Sequence, residues 1–212
     1  EAFLKTPLPE GSVCIPRDKA FFRMYNGEWP LMISPWNKLY KAEQFKALRF
    51  PEGQYFEDAS TTNLALYQCE KVSVLDASMY FYNITPGSSS KTKRSVELLD
   101  REKALRSHWE FFLKEGRKDL AYRAIPFYLH ELLIINSKIR ESDKPEDCAI
   151  IRERFCSTYR KYWRKAKVSD ERGEKIFDFR YPRLGAVRYY IRQDGVIKAA
   201  KRFIQKRLGF RK

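Results

Sequence analysis

The chain has 212 residues, 43% of them hydrophobic and 15% aromatic, and a formal net charge of +15. That length and composition suit one domain or two small ones around a packed core, and they exclude general disorder. No apolar run nears the ~20 residues of a membrane-spanning helix; the longest patch, residues 129–135, is interrupted by His130 and Glu131.

The first nine residues lack the basic and apolar regions of a signal peptide. The chain starts at Glu1 without an initiator Met, as expected of an excised piece of something longer. Charge is uneven. Residues 1–95 carry 12 basic and 10 acidic side chains, residues 96–151 carry 10 and 11, and residues 152–212 carry 20 and 6. The last third therefore calls for an anionic partner, a membrane surface or a polyphosphate, unless it is an ordinary solvated basic surface. Cys14, Cys69, Cys148 and Cys156 form no C-x-x-C pair, and the chain has only two histidines. Buried, reduced thiols are expected rather than a zinc site.

Up to about residue 95 the elements are mixed. Ala42–Leu48 reads as a short helical stretch, followed by a turn at Pro51 and Gly53. Between Phe56 and Cys69, Leu64, Ala65 and Tyr67 follow an acidic pair, which predicts a helix opening at that pair. Lys71–Leu75 alternates around Val72 and Val74 as a strand, and Met79–Ile84 reads as a second, aromatic-rich one. Residues 85–90, rich in Pro, Gly and Ser, form a turn and a hydroxyl-rich loop.

Beyond residue 95 the pattern is helical. Val96–Glu115 places Leu98, Leu105, Trp109 and Phe112 near helical spacing. Leu120–Ile139 is a more apolar helix in which Pro126 marks a kink or the first turn. Pro145 opens a third, running to Trp163. Asp178–Pro182 breaks the pattern, and two short helices hinged at Gly195 finish the chain. The predicted class is α+β, mostly α, with residues 1–95 as one unit and 96–212 as a basic helical region.

Three segments carry the chemistry: Pro35-Trp36-Asn37-Lys38-Leu39-Tyr40, then Phe50-Pro51-Glu52-Gly53, then Phe56-Glu57-Asp58. After the two strands comes a fourth, Tyr80-Phe81-Tyr82-Asn83-Ile84-Thr85-Pro86-Gly87-Ser88. In order and spacing these resemble the acceptor-side second half of the GT-A domain in bacterial family 2 glycosyltransferases of capsule, exopolysaccharide or lipopolysaccharide synthesis. The resemblance covers roughly residues 30–105. It implies an inverting transfer from a nucleotide-sugar donor to a saccharide or lipid-linked acceptor, in the cytoplasm or peripherally on the inner face of the membrane.

Such a transfer needs a carboxylate to take the acceptor hydroxyl proton. By resemblance Asp58 is that base, and Glu57 positions the loop or contacts the acceptor. The alternative is that Asp58 is a plain helix N-cap. Trp36 can stack on a pyranose, Asn37 can bond hydroxyls and Lys38 can reach phosphate; equally, Trp36 can be core and Lys38 solvated. Asn83 departs from the family pattern, where an Arg can steady the leaving diphosphate. Lys91, Lys93 or Arg94 could supply that charge. Ser88 completes the expected substrate contacts.

No Asp-x-Asp, G-x-G-x-x-G or P-loop occurs in the chain. The divalent metal (Mg or Mn) that the resemblance implies, and the nucleotide site, are expected in a preceding half. The isolated chain is then expected neither to bind a UDP-sugar tightly nor to turn over. Near the C-terminus, Ile197, Ala200, Ile204 and Leu208 share a helical face flanked by Lys198, Lys201, Arg202 and Lys206. That pattern suits an anionic membrane interface, or a helix packed on its neighbours. Rival readings are a nucleic-acid-binding helical domain, which lacks any recognition motif, and a non-catalytic scaffold module.

Overall fold

Two branched residues, Val13 and Ile15, alternate near the start of the described chain. The structure, a computed structural model, describes residues 10–81, 83, 94–166 and 171–182. Strand β1 (Val13–Pro16) leads into α1 (Arg17–Tyr25) and α2 (Trp29–Ile33). After a 3-10 turn at Ala42–Phe45 come α3 (Glu57–Tyr67) and β2 (Lys71–Val74). The rest is helical: α4 (Ser95–Lys114), α5 (Lys118–Ile139), a 3-10 turn at Pro145–Asp147, α6 (Cys148–Ala166) and α7 (Glu171–Arg180).

The two strands pair antiparallel, with Ile15 opposite Val72 and Val13 opposite Val74. Ile15 is buried and Val72 half-buried against the core, while Cys14, one step out of phase, is exposed, as alternation on a pleated strand requires. The expected second strand at Met79–Ile84 is not there over its described part. Residues 79–81 join no ladder, and Met79, Tyr80 and Phe81 are exposed. The partner of β2 comes instead from β1, far upstream. The strand β1 and the helices α1 and α2 had no strong local signal.

Helices α4 and α5 form an antiparallel hairpin. Its turn is a paired C-cap: Arg117 N–H donates to Phe112 O at 2.8 Å and Gly116 N–H to Leu113 O at 3.2 Å, which needs the left-handed φ of +73° at Gly116. The start of α4 is closed from the α5–α6 loop, where Asp143 accepts from Ser95 N–H at 2.7 Å and Asp147 from the Ser95 hydroxyl at 2.6 Å. Pro126 lies inside α5 rather than in its first turn; burial of that helix among its neighbours outweighs the lost backbone bond. Helix α7 runs through Asp178 and ends before Pro182.

Helix α5 is the centre of the molecule, packed by α4, α6, α7 and α1. One hydrophobic core runs from Ile15 through Phe21, Phe112 and Ile125 to Phe155 and Ile176. It spans residue 95 without interruption: the Phe21 and Phe112 rings meet edge-on at 5.0 Å, and Trp29 stacks on Phe127 at 4.6 Å. Burying such rings contributes about 2–3 kcal/mol each. The four cysteines are free, but they are not the buried thiols expected: Cys14 is exposed on the outward phase of β1, and the other three are half-buried, Cys148 and Cys156 at the margin of the core.

Candidate active site at the start of helix α3

The acidic pair opens α3. Phe56 is the N-cap residue, with a left-handed φ of 58° and ψ of 36°, and no side chain caps the helix. A bulky residue rarely adopts that conformation, and neighbours hold it. Arg101 of α4 lies 5.6 Å over the Phe56 ring and pairs with Glu131 of α5. One residue earlier, Tyr55 N–H donates to Asp100 Oδ2 at 3.0 Å. Arg94 lies 5.4 Å over the Tyr55 ring, donates to its hydroxyl, and bonds Glu97 at 2.7 Å. Three residues of α4 and its N-cap thus fix the approach to α3.

Glu57 is exposed and Asp58 half-buried. Asp58 occupies the second helical position, not the cap, and its Oδ1 accepts the Ala59 N–H at 2.7 Å. The helix dipole favours a carboxylate there. Immediately below, His108 of α4 lies 1% exposed. Its Nε2 is 2.6 Å from Ala59 O and its Nδ1 is 2.9 Å from the Tyr25 hydroxyl. A carbonyl only accepts, so Nε2 carries the proton and Nδ1 accepts from Tyr25. Burial pushes His108 down to about 4, opposed by its bond to Ala59. It is a neutral strut between α1 and the turn that bears Asp58.

The other expected contacts form a second group at the end of α2. Lys38 Nζ donates to Leu31 O at 2.6 Å, Ser34 O at 2.6 Å and Asn37 Oδ1 at 2.7 Å. An ammonium has three donors, so all are committed to closing α2, and burial pushes Lys38 down to about 8. The side chain is neither solvated nor open to a phosphate. Asn37 turns inward as well, donating to Leu31 O at 3.2 Å. Trp36 is 46% exposed rather than core, and its ring lies 4.5 Å from that of Tyr80 at 31°.

Asn83 is exposed. Arg94, weighed as a substitute charge, is engaged by Tyr55 and Glu97. Ser88, Lys91, Lys93, Lys198, Lys201, Arg202 and Lys206 lie outside the described residues. Sequence reasoning missed Tyr55, Asp100, Arg101 and His108. Only His108 left a trace, four residues before Phe112 and three after Leu105 on the apolar stripe of α4. Among the described residues no group of three or more His, Cys, Asp or Glu can hold a metal ion, and no helix is long and apolar enough to cross a membrane.

No family model matches the chain, and no solved structure matches it. A stretch of 60 residues, 28% of the chain, is 43% identical to a protein named glycosyltransferase GlyA from Streptococcus pneumoniae serotype 4, of whose length it spans 9%. Part of this chain is therefore related to a glycosyltransferase.

Proposed function

We propose that this chain is the acceptor-side half of an inverting, GT-A type family 2 glycosyltransferase in bacterial surface-polysaccharide synthesis. It moves a sugar from a nucleotide-diphosphate donor to a saccharide or lipid-linked acceptor. The observation that carries the reading is Asp58: a half-buried carboxylate in the first turn of α3, its backbone braced by Tyr55–Asp100 before it and Ala59–His108 after it. A general base works when its position is fixed before substrate arrives. The partial likeness to a glycosyltransferase supports the same reading.

In that reaction Asp58 takes the proton of the acceptor hydroxyl. The hydroxyl oxygen bonds to the anomeric carbon from the face opposite the diphosphate. The bond from that carbon to the diphosphate oxygen breaks, and the nucleoside diphosphate leaves with the electron pair. Glu57, exposed beside the base, contacts the acceptor, and Trp36 with Tyr80 offers a ring face to a sugar. Asn83 and Ser88 are further substrate contacts. A divalent metal, Mg or Mn, would steady the diphosphate; among the described residues no group of His, Cys, Asp or Glu fits one.

Amide chemical shifts of this chain test the reading. Titration with oligosaccharide acceptors should move the Glu57, Asp58 and Ala59 signals. UDP-sugars should leave them unmoved at micromolar concentration. Acceptor saccharides that shift only remote amides, or micromolar UDP-sugar binding by calorimetry, would overturn it.

A further inference from the structure

We infer that the outer face of α6 is a docking surface for a membrane leaflet rich in anionic lipid. The helix is two-sided. Ile151, Phe155, Tyr159, Tyr162 and Ala166 are buried in the bundle. The opposite side exposes Arg154, Arg160, Lys161, Arg164 and Lys165 against one acidic residue, Glu153. At a rise of 1.5 Å per residue, these five cations run along about 17 Å of helix.

Their spacing is unfavourable for an isolated surface. Arg160 with Arg164, and Lys161 with Lys165, are like-charge pairs one turn apart, each costing a few tenths of a kcal/mol. Helix α4 shows the opposite habit: Arg106 pairs with Glu102 at 3.0 Å and with Glu110 at 3.1 Å. Among the described residues none of the five α6 cations forms an ion pair. An extended anionic surface relieves that repulsion along the whole row, which a single phosphate cannot do.

The apolar content of the face selects lipid over nucleic acid. Ile150 is 39% exposed at its start, where it can enter the headgroup boundary. Base stacking needs open aromatic rings. The aromatic residues of α6 are instead directed into the protein: Phe155, Tyr159 and Tyr162 are buried, and half-buried Trp163 is stacked on Tyr159 at 4.9 Å.

The test is cosedimentation of the whole chain with phosphatidylcholine vesicles, with or without phosphatidylserine. The chain should bind only the anionic vesicles. The variant Arg160→Gln/Lys161→Gln/Arg164→Gln/Lys165→Gln, with unchanged helicity by circular dichroism, should bind them at least about 10-fold more weakly. Ser157 is exposed on the same face; with the free thiols of Cys14, Cys69, Cys148 and Cys156 replaced by Ser, Ser157→Cys carrying an environment-sensitive fluorophore should shift to the blue on anionic vesicles. That reading needs no loss of charge and survives if the quadruple variant misfolds. Undiminished binding of a folded quadruple variant, or an unshifted probe on a chain that binds, would overturn the inference and assign binding to the basic tail. Tighter binding to single-stranded RNA than to the vesicles at the same salt would overturn it too.

Discussion

Acidification should loosen the turn that carries Asp58, and His108 is the reason. Its imidazole is buried between two neutral partners, the Tyr25 hydroxyl and Ala59 O, with the Trp29 ring 5.4 Å away. In the folded chain it titrates at about 4, against an ordinary 6.5. Between those values the unfolded chain binds a proton that the folded chain does not, so stability falls as pH falls. The full contribution is present above 6.5 and is lost as pH drops towards 4. The slope is about 1.4 kcal/mol per pH unit, and the whole window amounts to about 3 kcal/mol. That is a large part of the 5–15 kcal/mol typical of a folded domain.

The informative perturbation is His108→Gln. A glutamine amide can donate to Ala59 O and accept from Tyr25, but it does not titrate in this range. Urea unfolding followed by circular dichroism, from neutral pH to about pH 4.5, should show a steeper loss of stability in the parent chain than in the variant. Carboxylates titrating below about pH 5 act on both and cancel in the difference. Equal slopes for the two chains would refute the assignment of a buried neutral imidazole under α3.

Three further outcomes follow from the geometry. For the transferase proposed above, Asp58→Asn in a polypeptide that also carries the proposed nucleotide-binding half should lower kcat by about 10²–10⁴-fold, with acceptor binding retained; transfer of labelled sugar measures it. Lys38→Met should destabilise the chain by about 1–3 kcal/mol, because Leu31 O and Ser34 O lose a charged donor. Thermal unfolding detects that loss, and acceptor binding away from α2 should be unaffected. Gly116→Ala should cost about 1–2 kcal/mol in the same assay. Nothing lies within 4 Å of the added Cβ, so the cost is that of the left-handed φ alone.

The long helices were legible in the sequence because each repeats its apolar residues every three to four positions over five turns or more. Leu98, Leu105, Trp109 and Phe112 mark the core face of α4 by their spacing alone. The start of α3 at the acidic pair was legible too, since acidic residues favour a helix N-terminus. Short elements were not. The strand β1 has four residues and exists through its ladder to β2, more than fifty residues away, and α2 has only five. Neither carries enough periodicity to outweigh its flanking turns.

The sequence by itself determined which residue types stand where: an acidic pair after an aromatic, a Trp-Asn-Lys run, and a charge excess gathered in the last third. The tertiary structure alone decided what those side chains do. It closed Lys38 onto three oxygens at the end of α2, and made Phe56 rather than Asp58 the cap of α3. It also put His108 beneath Ala59 across a separation of 49 residues, and, among the described residues, left five cations on the outer side of α6 without an ion pair. Hydrogen bonds and burial depend on groups distant in the chain. Local spacing carries no record of which distant donor or ring will arrive.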